Sequence, residues 1–353
     1  MKRTYAAVLA AALAAPASLA AQNDIDTICD QFSANADIRS RCASVAQAVD
    51  AAQPQLGILM AGGNPTLGTA STGGLRLGIL PRVSAGVRAN VVFARLPDIR
   101  DESSENGQVV PDQFSVPAPA LGANVSVGVF PGVSVAPMVG GFGAIDLLGS
   151  ATLLPVSLAG VDGLEKNPVS WGAGARVGLL RESFVTPGIS VSVMYRKMGE
   201  IQFGDVCEGT ETTGTAGANS RTCVGSGDFG EINFGLSNVS GRAAVSKRLL
   251  GFGLTAGLGY DRFSTDADVG FRAPRTPLDA AGARTIYRFN DVEVDNDRWS
   301  AFVNGSFTLL VGSIVAEAGW LQGQDAVRNF PSASDFDPKE GTFFGSVGVR
   351  LSL

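Results

Sequence analysis

Histidine is absent from this 353-residue chain. That removes the commonest general base and the commonest zinc ligand together, and no G-x-S-x-G elbow offers a nucleophile in their place. Neither an enzymatic activity nor a cofactor is expected. Past the first residues there is no run of 18 apolar residues, which excludes an ordinary transmembrane helix. Charge is scarce, at 17% of residues against about 25% in a usual globular chain. Cysteine is limited to Cys29, Cys42, Cys207 and Cys223. There is no C-x-x-C, so with histidine missing neither a redox nor a metal role is expected. In an oxidising compartment the spacing points instead to two local disulfides. Cys29 with Cys42 would staple the N-terminal helices, and Cys207 with Cys223 would close an outer loop.

The chain begins MKRTYAAVLAAALAAPASLAAQ, with basic Lys2 and Arg3, an apolar stretch, and small residues at Ala20 and Ala21. This is the pattern of an export signal peptide, residues 1–21. Without Lys2 and Arg3 the chain holds 25 basic against 33 acidic residues, a net charge of −8. Such a chain has no electrostatic case for binding nucleic acid.

An alternating apolar and small-polar run, a short break, then another alternating run occurs five times. The units are Leu75 to Arg95, Leu121 to Val139, Trp171 to Tyr195, Ala243 to Tyr260 and Trp299 to Trp320. Period-two alternation sends successive side chains to opposite faces, so each unit reads as a β-hairpin with one apolar face. Long polar stretches separate the units, so connections alternate short and long. Glycine, 45 residues, suits strands that bend and a narrow lumen. A chain that enters a membrane without helices must satisfy its backbone by closing a sheet. The expectation is an all-β fold: a single closed antiparallel transmembrane β-barrel over residues 55–353, with a short helical N-terminal segment. Short breaks at Pro81, Pro131, Arg181, Leu249 and Val311 on one side leave eleven strands. Even counts are the rule, so an ascending strand around Gln55 to Gly62 brings the expected number to about twelve, within a range of ten to fourteen.

Residues 22–54 read as helix. Ile38, Cys42, Val45 and Val49 recur at helical spacing, Asp37 is an available cap, and Pro54 supplies the stop. This segment is either a plug in the barrel mouth or a helix outside it.

The last strand, GSVGVRLSL, places Val347, Val349, Leu351 and Leu353 on one face and Ser346, Gly348, Arg350 and Ser352 on the other. It resembles the C-terminal strand of bacterial outer-membrane β-barrels, which most often end in Phe where this chain ends in Leu353. The resemblance implies the bacterial outer membrane as location, outer-membrane lipid around the barrel, and the barrel-assembly machinery as a partner of the last strand. The small-residue segment Gly57 to Thr72 followed by hairpins also resembles the long-chain fatty-acid transporter family, which plugs its barrel with N-terminal residues.

With the apolar face of each strand set toward lipid, the opposite face collects Arg76, Arg88, Asn90, Asn124, Arg176, Arg196, Asn304, Glu317 and Arg350. These are the candidate lumen-lining residues. Either they make a cationic pore that favours anions, or they pair with carboxylates such as Glu317, Asp24, Asp26, Asp30 and Asp37 and fill a narrow barrel. Asp291, Glu293, Asp295 and Asp297 alternate on one strand face and suit a solvated strand end better than a calcium site, since Asn296 stands where an EF-hand needs Gly. Trp171, Tyr195, Tyr260, Trp299 and Trp320 fall near outer strand ends, as in an interfacial aromatic girdle. Two functions are expected to compete. One is passive passage of a small, unidentified solute through the barrel; the other is a structural or surface-interaction role for its acidic outer loops.

Overall fold

The computed structural model describes residues 24–353 apart from 33, 74, 77–79, 101–103, 106–107, 135–139, 156–166, 214–219, 273–282, 310–311 and 353. The expected signal peptide lies outside the described residues. A helical turn α1 (Asp24–Thr27), a 3-10 turn (Ile28–Phe32) and a long helix α2 (Ala36–Ala61) precede the sheet. The strands are β1 (Val83–Pro97), β2 (Gln113–Phe130), β3 (Ala144–Leu153), β4 (Val169–Leu180), β5 (Gly188–Phe203), β6 (Glu208–Thr213) and β7 (Ser220–Ser226). They continue with β8 (Gly230–Leu249), β9 (Phe252–Arg272), β10 (Ala283–Leu309), β11 (Gly312–Leu321) and β12 (Thr342–Ser352).

Twelve strands share one antiparallel sheet, but ten of them close the barrel, in the order β1-β2-β3-β4-β5-β8-β9-β10-β11-β12 and back to β1. The seam pairs first strand with last, from Val92 opposite Phe344 to Ser84 opposite Ser352. β6 and β7 form a hairpin outside the ring, with β7 laid along the far end of β10, from Ser220 opposite Tyr287 to Val224 opposite Ala283. The Cys207–Cys223 disulfide lies at this hairpin, and Cys29–Cys42 joins the 3-10 turn to α2. In the chain-entropy model loops of this size are stabilised by about 3 kcal/mol.

Four expectations differ from this arrangement, and two of them, the strands expected at Gln55 to Gly62 and at Leu75 to Leu80, account for the smaller ring. The segment Gln55 to Gly62 is the end of α2, not a strand, because the helix runs through Pro54. Proline removes the donor that would bond the Asp50 carbonyl, and Asn296 Nδ2 of β10 supplies one instead at 3.4 Å. The flanking glutamines hold the same stretch to the wall: Gln53 Nε2 donates to the Val294 carbonyl at 2.8 Å, and Gln55 bonds both backbone groups of Arg95. The cap is Asn35, whose side chain accepts the Ile38 N–H, rather than Asp37. Leu75 to Leu80, expected as a barrel strand, yields only a two-residue ladder. In the second hairpin the expected return run, up to Val139, lies mostly outside the described residues, and the strand that pairs with β2 is Ala144–Leu153, whose Asp146 sits inside the barrel opposite Arg176.

Along β9 the side chains keep one alternating phase from Phe252 to Val269, yet the chemistry of the two faces exchanges at Tyr260. Below it, Phe252, Leu254 and Leu258 point out and Thr255 points in; Asp261 just above it still points in, and from there Arg262, Ser264, Asp266 and Asp268 point out and Phe263, Ala267 and Val269 point in. The same exchange occurs on β10 at Trp299, with Val303 and Phe307 exposed below and Val292 and Val294 buried above. Trp171, Tyr195, Tyr260, Trp299 and Trp320 are all exposed at this level. Trp171 packs edge-on against Tyr195, and Tyr260 lies 5.1 Å from Trp299. Below the ring of aromatics the wall has an apolar outside, as lipid demands. Above it the barrel continues as a water-facing sheet around an apolar core made with α2: Val45, Val49, Phe229, Ile232, Phe234, Val269, Phe271 and Val294.

Two outcomes follow. Gly57 of α2 faces Phe263, and a Cβ there would lie 2.0 Å from the Phe263 ring. Gly57→Val is therefore expected to destabilise the fold by about 1–3 kcal/mol, read as a lower urea midpoint of the detergent-folded protein. Glu231, in the water-facing part of β8, is pushed above the usual carboxylate range by burial, which the Arg288 guanidinium and the Val206 N–H only partly oppose. Since its folded pKa lies above the unfolded one, the ionised form weakens the fold at neutral pH, and that cost disappears as pH falls through the folded value. Glu231→Gln should leave stability at pH 7 equal or higher and reduce the gain between pH 7 and pH 5, measured by chemical denaturation.

Candidate functional site

Helix α2 enters from the long-loop end and stops midway down the lumen, where the chain continues as an irregular segment, residues 62–73, to the short-turn end. A helix end leaves four carbonyls without intrahelical partners. Each finds a donor here. Gly62 N–H bonds the Ile58 carbonyl at 2.7 Å, Asn90 Nδ2 the Leu59 carbonyl at 2.8 Å, Thr152 Oγ1 the Met60 carbonyl at 3.3 Å, and Arg88 Nη2 the Ala61 carbonyl at 2.5 Å. Arg242 Nε adds a bond to the Gly63 carbonyl at 3.0 Å. Two guanidinium groups thus meet the negative end of the helix dipole.

Below that point the polarity of the contact reverses. Glu317 accepts the backbone N–H groups of Gly63 and Asn64 at 2.8 and 2.9 Å, and Asn304 Nδ2 at 2.9 Å. Asn124 Nδ2 reaches the Pro65 carbonyl at 2.9 Å, and Arg350 Nη1 donates to the Leu67 carbonyl. Asp146 accepts the Gly73 N–H and pairs with Arg176 at 2.5 Å, while Arg176 also reaches the Thr69 carbonyl. The lumen segment is fastened by side chains from eight barrel strands.

Arg88, Asn90, Asn124, Arg176, Asn304, Glu317 and Arg350 therefore lie on the inner face, and all but Asn304, which bonds Glu317, bond the plug directly. Arg196 is buried inside as well, but bonds Ser240 Oγ at 2.7 Å and the Met194 sulfur, not the plug. Arg76 lies in the short ladder with Leu80, and its side chain is outside the described residues. The sequence reading passed over Arg242, Asp261 and Asp146. Arg242 and Asp261 form a buried pair at 2.8 Å. Arg242 and Asp261 flank the alternating run Ala243 to Tyr260 by one position on each side, and Asp146 lies seven positions past the run that ends at Val139. Asp30, one of the acids considered as a lumen partner, instead pairs with Arg328 at 2.7 Å at the long-loop end.

Two spaces flank the plug. At the long-loop end a small apolar pocket of about 90 Å³ lies between Leu56 and Leu59 of α2 and Val92, Phe114, Val116 and Ile201 of the wall. Here β3 and β4 end early: β2 pairs with β3 only as far as Leu121, and β5 with β4 only as far as Met198. At the short-turn end a polar vestibule of about 840 Å³ opens beneath residues 66–73. Among the described residues no three potential metal ligands converge, and Asp291, Glu293, Asp295 and Asp297 alternate along the outer face of β10.

No known family and no curated protein matches the chain. Among solved structures it is similar to the outer-membrane protease OmpT of Escherichia coli, with 11% identity over 77% of this chain and 96% of that one and a TM-score of 0.34. It is similar also to the transport unit of the Escherichia coli autotransporter AIDA-I, with 7% identity, 86% and 99% coverage and a TM-score of 0.35. A Pseudomonas aeruginosa FadL homologue gives 7% identity, 77% and 90% coverage and a TM-score of 0.27. Likenesses of this strength leave function to be read from the chain's own geometry.

Removing the carboxylate of Glu317 strands two backbone N–H groups and the Asn304 amide in a buried site. Glu317→Ala should cost about 3–5 kcal/mol, the range for breaking a buried charged partner. Asn304→Ala, which removes one bond, should cost about 1 kcal/mol. Equal urea midpoints for the two variants would show that the carboxylate does not hold the plug.

Proposed function

We propose that the protein is a bacterial outer-membrane barrel closed by its own N-terminal segment, which anchors a rigid acidic platform on the cell surface for a cationic partner. The observation that carries this reading is the exchange of strand faces at the aromatic ring. Above it the barrel packs an apolar core around α2 and turns carboxylates outward, while below it the plug is bonded by side chains of eight barrel strands. Asp266 and Glu293 stand directly opposite one another on β9 and β10. Like charges in that position destabilise a sheet, and a cation laid across them relieves the repulsion. The open, arginine-lined pore is the reading that this geometry supports least, because Arg88, Arg176, Arg242 and Arg350 hold the plug.

Planar-bilayer recording tests closure directly. The full-length mature protein is expected to insert without steady conductance, and a variant lacking residues 24–61 to conduct. In the same lipid, vesicles carrying the protein should capture polylysine, and Asp266→Asn with Glu293→Gln should weaken capture several-fold at physiological salt. Steady channels in the intact protein, or unchanged capture by the double variant, would reject the proposal.

Uptake of a small apolar compound is the second reading, favoured by the apolar pocket beside the early ends of β3 and β4. A pocket of about 90 Å³ is smaller than the 150 Å³ cavity that admits benzene, so α2 would have to shift for passage. Val116→Trp, which fills the pocket, would abolish uptake and leave polylysine capture intact.

A further inference from the structure

We propose that the vestibule at the short-turn end is a binding site for a phosphorylated anion. Its volume, about 840 Å³, falls in the range of small-molecule sites. Its wall is strongly one-signed. Arg82, Arg176, Arg181, Arg248 and Arg350 all line it, against one carboxylate among the described lining residues, Glu182, with Asp146 spent on Arg176 behind the wall.

The five guanidinium groups are not equivalent. Arg176 and Arg350 are buried and hold the plug, and Arg181 Nη2 is bonded to the Pro131 carbonyl at 2.7 Å. Arg82 and Arg248 are exposed at the vestibule, on the inward-facing register of β1 and β8 with Ser84 and Ser246, and among the described residues no partner accepts their donors. The structural roles are thus filled by three arginines, and two remain available. Barrels that need only a polar inner mouth can use serine, threonine and asparagine, which this one also has. Unpartnered guanidinium groups around a concave wall are the arrangement that recognises oxyanions, whose geometry matches the planar fork.

A second observation points the same way. The hydroxyls of Thr66 and Thr72, both more than nine-tenths buried in this wall, have no hydrogen-bond partner, and neither has Arg350 Nε. Unmet donors cluster where the free cations converge. Ser71, Ser84, Ser126 and Ser313 surround them with further hydroxyls, which suits a phosphate carried on a hydroxylated body. Phosphate of this kind has two sources at this end of the molecule, a soluble phosphorylated solute or the headgroup of an inner-leaflet lipid. The site itself does not depend on the outer platform's role, since the plug separates them.

The test is isothermal titration of the full-length mature protein with inorganic phosphate, first in neutral detergent and then in nanodiscs of zwitterionic or anionic phospholipid. Saturable binding is expected, weakened at least tenfold in Arg82→Gln with Arg248→Gln, a variant whose substituted groups hold no structural bond. Thr72→Val, which removes an orphaned hydroxyl, should weaken it by a smaller factor. Equal binding in both nanodiscs assigns the site to a soluble anion; binding suppressed in the anionic nanodisc alone assigns it to a lipid headgroup. An absence of saturable binding to the wild-type protein in detergent, or an unchanged affinity in the double variant, overturns the proposal.

Discussion

A helix that stops halfway down a barrel leaves its last carbonyls facing a wall rather than water, and the wall must donate to them. That constraint organises the lumen. Asn90, Thr152 and Arg88 stand where the final turn of α2 ends, and Arg242 meets the chain as it leaves the helix. Once the carbonyls are satisfied, the next exposed groups are backbone N–H, and Glu317 replaces arginine as the partner. The alternation of donor and acceptor along the plug is mirrored in the wall because an unpaired polar group in a buried site costs about 1–3 kcal/mol.

Plug and wall consequently depend on each other. An empty barrel of these strands would leave Arg88 without its carbonyl acceptors, Arg242 with Asp261 and Glu317 with Asn304, and the plug alone has too narrow an apolar stripe to hold a helix in water. Glycine completes the fit. Gly57 lies against Phe263, and Gly63 against Phe302, at distances that a side chain would violate. The aromatic rings take the volume that the helix surrenders.

Much of this was legible in the sequence. Period-two alternation located nine of the ten barrel strands at least in part, and the phase of each strand put Arg88, Asn90, Asn304, Glu317 and Arg350 indoors. The aromatic residues marked the level at which the wall leaves lipid. What was not legible has physical causes. Pro54 stops a helix unless something else bonds the carbonyl it abandons, and the donor, Asn296, lies 242 positions away in sequence. The upper halves of β9 and β10 read as polar loops because their outward residues are charged; the inward ones, Phe263, Val269 and Val294, had the same period but the opposite meaning. Alternation reports that two faces differ. It does not report which solvent each one meets.

The exchange of faces also divides the molecule's electrostatics. Lipid on the outside below the aromatic ring confines charge to the lumen, so arginines accumulate indoors, where each helix carbonyl or carboxylate that they bond limits how many remain free. Water on the outside above the ring lifts that restriction, and the carboxylates move to the exterior while the interior becomes apolar. Acidic surface at one end and basic vestibule at the other are therefore products of one change in solvent along continuous strands. Partners of opposite charge belong at the two ends, and since the plug fills the space between, one end can be altered by substitution without redesigning the other.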